Sequence, residues 1–356
     1  MNIDNVNGPR QTAPMSSVST SRKRGRRTGR APTVVDVARL AGVAANTVSR
    51  VLNHPEQVAP ETRDRVNEAI RVTGYVPNLM AAGVRSARSK LVAAIVPTVS
   101  GVMFLETIQA LTETLDANGY QLILGQGGYD GSREDELLNA IIGRRPAGIA
   151  IVGVVHSPES RRRLLASHIP IVEMWDLTPT PVDMVVGFMH EEIGAAVCEF
   201  VLAKGRERPA IISGRDGRAA RRARAFQGAA KKRGIEVPIE WIPAPGALVP
   251  AREAAARLLG HEARPDAIFC SSDLVALGVV TEADARGLRV PQDLAVVGFG
   301  NLSFSEGVIP PLTTVHVDGP RLGRLAGSML VDRAEGREVA NPSVDIRYSI
   351  LERAST

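Results

Sequence analysis

The side chains in this sequence best suited to recognition chemistry lie in the stretch TVVDVARLAGVAANTVSRVLN, which starts at Thr33. The amide of Asn46 has the geometry to hydrogen-bond adenine, and the guanidinium of Arg50 has the fork to bond guanine. With Ala45, they would project from the start of a helix narrow enough for the major groove of B-DNA. Hydroxyl and amide groups suited to phosphate oxygens occur at Thr33, Thr47, Ser49, Asn53 and Thr62.

Three short helices are predicted to position these side chains. Thr33 is a natural N-cap, and apolar residues then recur at helical spacing until Gly42 permits a sharp turn. A second helix is predicted from Ala45 to Leu52, and a third from Pro60, where proline suits the first turn. Spacing alone leaves two structures open: a helix-turn-helix, or a helical hairpin whose polar residues only face water.

A resemblance favours the first of these. The stretch from Thr33, followed by VAPETRDRVNEAIRVTGYVPN, closely resembles the DNA-binding head of the LacI/GalR repressor family. The match runs nearly without gaps from Thr33 to Asn78, and this motif string is highly specific. The resemblance implies that Ala45, Asn46 and Arg50 occupy the family's major-groove reading positions.

The segment NLMAAGVRS resembles the hinge helix of the same family, which forms on the operator and inserts a leucine into the minor groove. The resemblance assigns minor-groove contact to Ala81 and Val84, and Val84 takes the position of that leucine. Valine is a smaller wedge, and Gly83 weakens a helix by about 1 kcal/mol relative to alanine. A plain flexible linker remains the alternative for this segment.

A long alternation of apolar strands and amphipathic helices follows from Leu91. Most of the strands are short unbroken apolar runs, typical of parallel strands buried on both faces. The predicted strands are VAAIVP, YQLILGQ, GIAIVG, IPIVEM, DMVVGF, PAIISG, IEWIPA, AIFCSS, LAVVGFG and TTVHV. The pattern predicts an α/β body of two doubly wound lobes, with a ligand cleft at the carboxyl ends of the strands.

The resemblance extends over the body, essentially from Leu91 to Arg353, and implies the architecture of periplasmic sugar-binding proteins. It places an effector-contacting arginine at Arg222, and ligand loops at Ser272, Asp273 and Asn301. The lactose- and purine-type members carry an aspartate where this chain has Gly300. Losing that carboxylate while keeping Arg222 favours an anionic ligand. Arg224 is either a second guanidinium of the cleft or a surface residue on the same helix.

The string IPIVEMWDLTPTPVDMVVGF, with VVHSPES upstream, resembles the gluconate-utilisation branch of the family. This implies gluconate, or a related sugar acid such as a keto- or phosphogluconate, as the effector. Glu173, Trp175 and His156 are then candidate cleft residues; the alternatives are a rim carboxylate, a core aromatic and a loop histidine. Met189 replaces the aspartate of many relatives, so its loop is assigned no ligand contact.

The positive charge of the chain is concentrated near its N-terminus. The formal net charge is +5, and without the six basic residues between Arg22 and Arg30 it would be −1. Residues 1–32 lack hydrophobic periodicity and are predicted to be a disordered basic arm. This arm either contacts a polyanion or is a solvated tail.

The compartment is predicted from cysteine use and hydropathy. The two cysteines, Cys198 and Cys270, lie in apolar stretches, which favours buried free thiols in a reducing compartment. The N-terminal residues contain no apolar signal segment, and no run reaches the roughly 18 apolar residues of a membrane span. We therefore expect a cytoplasmic protein without a membrane partner.

Two other classes of protein, an enzyme and a transport-type sugar-binding protein, would show different sequence features. An enzyme would need a motif such as GxSxG, a Walker loop, HExxH or a dinucleotide glycine fingerprint, and none stands at the right place. The sequence therefore predicts no catalytic residue, no cofactor and no metal. A transport-type sugar-binding protein is disfavoured by the helical head and by the missing signal segment.

The sequence thus predicts a small all-α helix-turn-helix head and an α/β body of two periplasmic-binding-protein-like lobes. The predicted parts are a basic arm (1–32), a DNA-binding domain (33–78), a hinge helix or linker (79–90) and an effector-binding and dimerisation domain (91–356). The predicted function is transcriptional repression by a homodimer on palindromic operator DNA, controlled by a small carbohydrate effector. The alternatives are a regulator of another carbohydrate or nucleoside pathway, or a non-regulatory sugar-binding protein.

Overall fold

The computed structural model describes residues 31–76, 89–129, 132–154 and 157–356, which fall into two compact units. The predicted basic arm and the linker residues Ala81 and Val84 lie outside the described residues, as does His156. The first unit is a helical head. Its helices are α1 (Val34–Ala41), α2 (Ala45–Asn53) and α3 (Pro60–Thr73), with a 3-10 turn at Pro55–Gln57.

The head is organised around a small apolar core. Val37, Val48 and Val66, one from each helix, are fully buried at its centre. The turn between α1 and α2 uses Gly42 at φ 64°, a left-handed conformation that glycine adopts without steric cost. The predicted helix-turn-helix is therefore present, and α2 extends one residue beyond the predicted end.

The second unit, the body, contains two six-stranded sheets. The strands of the first lobe are β1 (Leu91–Val96), β2 (Gln121–Gln126), β3 (Gly148–Val152), β4 (Ile171–Met174), β5 (Met184–Gly187) and β11 (Ser343–Asp345). Its helices are α4 (Leu105–Ala117), α5 (Ser132–Ile142), α6 (Pro158–Ser167) and α11 (Gly319–Ala334). All strand pairs are parallel, in the order β11-β5-β4-β3-β1-β2.

The second lobe repeats this design. Its strands are β6 (Pro209–Gly214), β7 (Ile239–Ile242), β8 (Ala267–Cys270), β9 (Ala295–Phe299), β10 (Thr313–His316) and β12 (Ser349–Leu351). Its helices are α7 (His190–Ala203), α8 (Gly217–Lys231), α9 (Leu248–Leu259) and α10 (Asp273–Ala285). The strand order is β12-β10-β9-β8-β6-β7, and only β12 runs antiparallel among these described strands.

Both sheets are covered by helices on their two faces. In β1, alternate residues enter different cores: Val92 and Ala94 pack with α4 and α11, whereas Ala93 and Ile95 pack with α5 and α6. All ten predicted strands are present, and the doubly wound body of two lobes is confirmed. β11 and β12 were not predicted.

The two cysteines and strand β2 differ in how far they are buried. Cys198 and Cys270 are buried and unpaired, as predicted. β2 differs from the other strands of its sheet, since it lies at the sheet edge and its side chains are largely exposed. Within the described ranges, no helix is both long enough and apolar enough to cross a membrane.

Candidate functional site

The recognition residues of the head lie on helix α2. Asn46 and Arg50 are exposed and four residues apart, so they share one face of the helix. Ala45 is half-buried, because it also packs on the apolar core of the head. The face that carries Asn46 and Arg50 therefore presents one amide and one guanidinium to solvent. These are the groups able to make paired hydrogen bonds with base edges.

Two of the predicted phosphate-contacting residues make hydrogen bonds within the head. Thr33 caps α1: its backbone N–H and its hydroxyl both donate to Oδ2 of Asp36, at 3.0 and 2.7 Å. The amide of Asn53 donates to the carbonyl oxygen of Ser49 at 2.9 Å and so closes the last turn of α2. Ser49 is exposed, while Thr47 and Thr62 are half-buried at the first turns of α2 and α3.

The body contains a cavity lined by residues of both lobes. Aromatic rings form much of its wall. The ring centroids of Phe104 and Trp175 lie 5.1 Å apart in an edge-to-face arrangement, and Phe299 lines the cavity as well. The cavity is thus largely apolar, with a small number of charged groups among the rings. This composition is typical of small-molecule sites.

Arg222, on α8, lines this cavity and is only 5% exposed. Its Nη1 lies 2.9 Å from Nδ1 of His190, and its Nη2 donates to the carbonyl oxygen of Ser271 at 3.1 Å. The guanidinium carbon lies 3.7 Å from the centroid of the Phe299 ring. Burial lowers the pKa of Arg222 to about 10, so the side chain stays charged at neutral pH. Its Nε atom is buried without a hydrogen-bond partner among the described residues.

A second guanidinium, that of Arg218, lines the same cavity. It lies one turn before Arg222 on α8, and its guanidinium carbon is 5.4 Å from the centroid of the Phe104 ring. Its Nη1 atom is buried and has no hydrogen-bond partner within the described ranges. Arg221, by contrast, is paired with Asp176 and with Glu191. Burial lowers the pKa of Arg218, which is the expected effect of desolvating a cation.

The structure brings two further predicted effector residues to the cavity wall. Trp175 lines it, and the indole N–H donates to Oγ1 of Thr107 at 3.1 Å. Ser272 lines it as well, although its hydroxyl also caps α10 by accepting from the N–H of Val275. Arg224 is exposed, so the surface alternative describes that residue.

Asp273, which the sequence analysis placed in a ligand loop, is not among the residues that line this cavity. Its side chain is fully buried at the start of α10. The carboxylate accepts hydrogen bonds from the N–H of Leu302 (2.7 Å), the hydroxyl of Ser305 (2.6 Å) and the hydroxyl of Thr314 (2.5 Å). Burial raises the pKa of Asp273, against the opposing effect of these bonds. Asp273 therefore ties the ends of β9 and β10 to α10.

Glu173 and Asn301 likewise are not among the residues that line this cavity. Glu173 is fully buried in β4 and accepts a hydrogen bond from the N–H of Val182 at 2.8 Å. Asn301 adopts φ 50°, and its Oδ1 accepts from Nη2 of Arg353 at 2.8 Å. Both side chains satisfy groups of the scaffold.

Sequence reasoning missed Arg218 and His190. Arg218 could have been found from its spacing, because it stands four residues before Arg222 on one helix and so shares its face. His190 follows the predicted strand DMVVGF and starts α7, at the end of the sheet where ligands bind. It is 1% exposed, and burial together with the positive charges of Arg222 and Arg218 holds its pKa well below the usual range.

Comparison with known proteins identifies the family of the chain. Residues 33–78 match the family described as bacterial regulatory proteins, lacI family, and residues 198–356 match a periplasmic binding protein-like domain. The chain is 34% identical over 343 residues to the HTH-type transcriptional regulator GntR of Pseudomonas aeruginosa, covering 96% of this chain and 100% of that protein. The chain belongs to the LacI family.

Further relatives agree with this assignment. The HTH-type transcriptional repressor PurR of Erwinia tasmaniensis is 31% identical, over 91% of this chain and 96% of that protein. The crystal structure of a LacI family transcriptional regulator from Silicibacter pomeroyi superposes with a TM-score of 0.86 at 29% identity, covering 91% of this chain and 99% of that one. The predicted LacI/GalR membership, on the gluconate-repressor branch, is thus supported. The chain is a LacI-family DNA-binding transcriptional regulator.

Proposed function

We propose that this LacI-family regulator is a repressor that binds palindromic operator DNA as a homodimer, and that a sugar acid such as gluconate controls its operator affinity. We place it in the cytoplasm, where operator DNA lies. The observation that carries the effector half is the pair of guanidiniums, Arg218 and Arg222, in a largely apolar cavity. Each has a buried nitrogen without a hydrogen-bond partner among the described residues.

The DNA half of the proposal assigns base reading to Ala45, Asn46 and Arg50. Support comes from the exposure of Asn46 and Arg50 on one face of α2. Thr33, Thr47, Ser49, Asn53 and Thr62 would set the position of the helix through phosphate contacts, which carry no sequence information. The linker, with Ala81 and Val84, would add minor-groove contact.

An anionic effector is supported by charge and by shape. A buried guanidinium with an unused N–H donor gains most from a carboxylate, because a charge-assisted hydrogen bond is stronger than a neutral one. Gly300 supplies no carboxylate at the position where the lactose- and purine-type relatives carry one. The aromatic wall formed by Phe104, Trp175 and Phe299 suits the C–H face of a sugar.

A purine base is the second candidate effector. It is favoured by the PurR relatives and by the same aromatic rings, on which a planar base would stack. Two guanidiniums in one cavity are better matched by an anion than by a neutral base. We therefore rank the sugar acid first.

The homodimer is supported by the edge strand β2. Its Ile123 and Leu124 are 49% and 44% exposed, although adjacent residues of a strand point to opposite faces. An exposed apolar edge strand is a surface that proteins usually cover. A two-fold dimer would also match a palindromic operator.

The test combines operator binding with a ligand screen. Footprinting should reveal a protected palindrome for the parent protein, and the double variant Asn46→Ala, Arg50→Ala should lose it. Each bidentate base contact contributes about 1–3 kcal/mol of discrimination. A thermal-shift screen against sugar acids, neutral sugars and purines identifies the effector, since a ligand at 100 times its Kd adds about 2.7 kcal/mol.

The footprinting and the ligand screen together have three informative results. A sugar acid that raises the Tm and changes operator affinity supports the proposal. A purine that does so, with no response to acids, transfers the protein to the second candidate. A protected palindrome that survives in the double variant would remove Asn46 and Arg50 from base recognition.

A further inference from the structure

The cavity adjoins a second compartment. This compartment lies at the carboxyl ends of β1, β2 and β3, and Tyr129, Asp216 and Arg218 line both compartments. The two spaces therefore form one cleft, with Arg218 at their junction.

The second compartment differs from the first in its wall. Three glycines line it, Gly127, Gly128 and Gly153, and Tyr129 is its one aromatic residue among the described lining residues. A Cβ atom at Gly153 would lie 3.3 Å from Nη1 of Arg218, which shows how closely this guanidinium approaches the wall of the first lobe. Glycine at these three positions keeps this part of the wall free of side chains.

Besides Tyr129 and Arg218, three carboxylates line this compartment, those of Glu134, Asp176 and Asp216. Glu134, in the first turn of α5, lines it and makes no hydrogen bond with any described residue. Asp176 also lines it, but is paired with Arg221. Asp216 caps α8 by accepting from the N–H of Ala219. Among the described residues both carboxylate oxygens of Glu134 are thus without a hydrogen bond, and burial raises the pKa of Glu134.

Two residues that line this continuous space consequently have unused hydrogen-bonding atoms among the described residues: Arg218 at the junction, through Nη1, and Glu134 beyond it, through its carboxylate oxygens. A ligand that satisfies both must carry an anion at one end and hydroxyl donors farther along its chain. Arg222 already uses Nη1 and Nη2 on His190 and Ser271, so Arg218 is the better-placed partner for the anion.

We propose that the second compartment is a subsite for the hydroxylated tail of an acid effector, whose carboxylate pairs with Arg218 and whose hydroxyls donate to Glu134. This inference rests on the proposed sugar-acid function and assigns the effector class more narrowly. Long-chain aldonic acids reach Glu134 and are selected. Two- and three-carbon hydroxy acids reach only Arg218.

The length dependence is tested by isothermal titration calorimetry on the full-length protein, with gluconate as the long acid and glycerate as the short one. Glu134→Gln should weaken gluconate binding about tenfold or more, because a hydrogen bond to a charged group is lost. The same variant should leave glycerate affinity within about twofold of the parent. Glu136→Gln changes an exposed glutamate of the same helix and is the matched control.

The anion contact is tested with the same two acids. Arg218→Gln should weaken both about tenfold or more, whereas Arg224→Gln, at an exposed position of α8, should change neither. Melting curves without ligand verify that each variant is folded. Full acid affinity in a folded Arg218→Gln protein would overturn the assignment of Arg218.

The subsite and the proposed function fail in different ways. If the parent binds neither acid, the sugar-acid function is wrong and the subsite falls with it. If the parent binds gluconate and the Glu134→Gln variant binds it equally well, the subsite alone is wrong. The same holds if the variant loses affinity for gluconate and for glycerate by the same factor.

Discussion

Nη1 of Arg222 lies 2.9 Å from Nδ1 of His190, and this contact fixes the protonation state of the imidazole. A guanidinium has only donors, so Nδ1 must accept and must carry no proton. The proton is then on Nε2, which lies 3.0 Å from the carbonyl oxygen of Trp175 and donates to it. His190 is therefore a neutral residue that links the cavity arginine to the backbone beside the cavity tryptophan.

This arrangement predicts a pH dependence of body stability. Burial and the nearby arginines hold the pKa of His190 well below its usual range, whereas in the unfolded chain it titrates near about 6.5. Below that pH the unfolded state binds a proton that the folded state does not. The free energy of unfolding should therefore fall by up to about 1.4 kcal/mol per pH unit between the unfolded and folded pKa values.

The measurement is urea unfolding at pH 7.5 and pH 5.5, followed by tryptophan fluorescence. The only two tryptophans of the sequence, Trp175 and Trp241, belong to the body, so the signal reports that unit alone. His190→Gln keeps an acceptor for Arg222 but has no proton to bind, and should lose this part of the pH dependence. Identical pH dependence in parent and variant would show that folding does not shift the pKa of His190.

A second prediction concerns Arg222 itself. Arg222→Ala removes the positive charge, the bond to His190 and the stacking on Phe299, so effector affinity should fall at least about tenfold. Operator binding by the unliganded protein should be retained, because the head forms a separate compact unit. The check is operator release in an electrophoretic mobility assay titrated with effector. Arg224→Ala, exposed on the same helix, is the control, and equal release by both variants would exclude Arg222 from the site.

The helix-turn-helix and ten strands of the body were predictable because their signals are local. A buried parallel strand is an unbroken apolar run, and IPIVEM or AIFCSS can be read without knowing the partner strand. β11 and β12 have only three residues each, SVD and SIL, and too little apolar pattern to stand out. Their pairing with β5 and β10 depends on contacts across the sequence, which no local pattern encodes.

The cavity was predictable only in part. Arg222 and Trp175 were found through resemblance, and both line it. Asp273 stands after a strand, where ligand-binding carboxylates occur, but two hydroxyls that bond it come from Ser305 and Thr314, 32 and 41 residues later. Those partners make it a structural residue, and sequence position alone could not reveal them.

The role now assigned to Asp273 gives a third prediction. Asp273→Asn replaces an acceptor oxygen with an N–H donor that faces the donors of Leu302, Ser305 or Thr314. Unfolding of the body should become easier by about 1–3 kcal/mol, the cost of leaving buried polar groups unpaired. Effector affinity of the folded variant should stay within about twofold of the parent, because Asp273 does not line the cavity.

Urea unfolding and calorimetry separate these two effects of Asp273→Asn. Asp284→Asn alters an exposed aspartate of the same helix, α10, and should change neither quantity. A stable Asp273→Asn protein with lost effector binding would restore Asp273 to the ligand site.

A fourth prediction concerns Gly300, in the loop after β9. Gly300 has φ 118°, a backbone conformation that is strained for a residue with a side chain. A Cβ atom there would also lie 2.8 Å from the sulfur of Met103. Gly300→Ala should therefore destabilise the body by about 1–3 kcal/mol. Met103 also lines the cavity, so its displacement should weaken effector binding in parallel.

The free-energy costs of backbone strain and of the clash with Met103 at position 300 can be separated with a second substitution. Met103→Ala removes the sulfur that a Cβ atom would meet, so the double variant should recover the part of the loss caused by the clash and keep the part caused by backbone strain. Stability is measured by urea unfolding, and the coupling energy of the double-mutant cycle gives the steric share. Additive effects would mean that Met103 moves aside freely. Glycine at position 300 would then be required only for its backbone conformation, and an aspartate there would be excluded by φ and not by crowding.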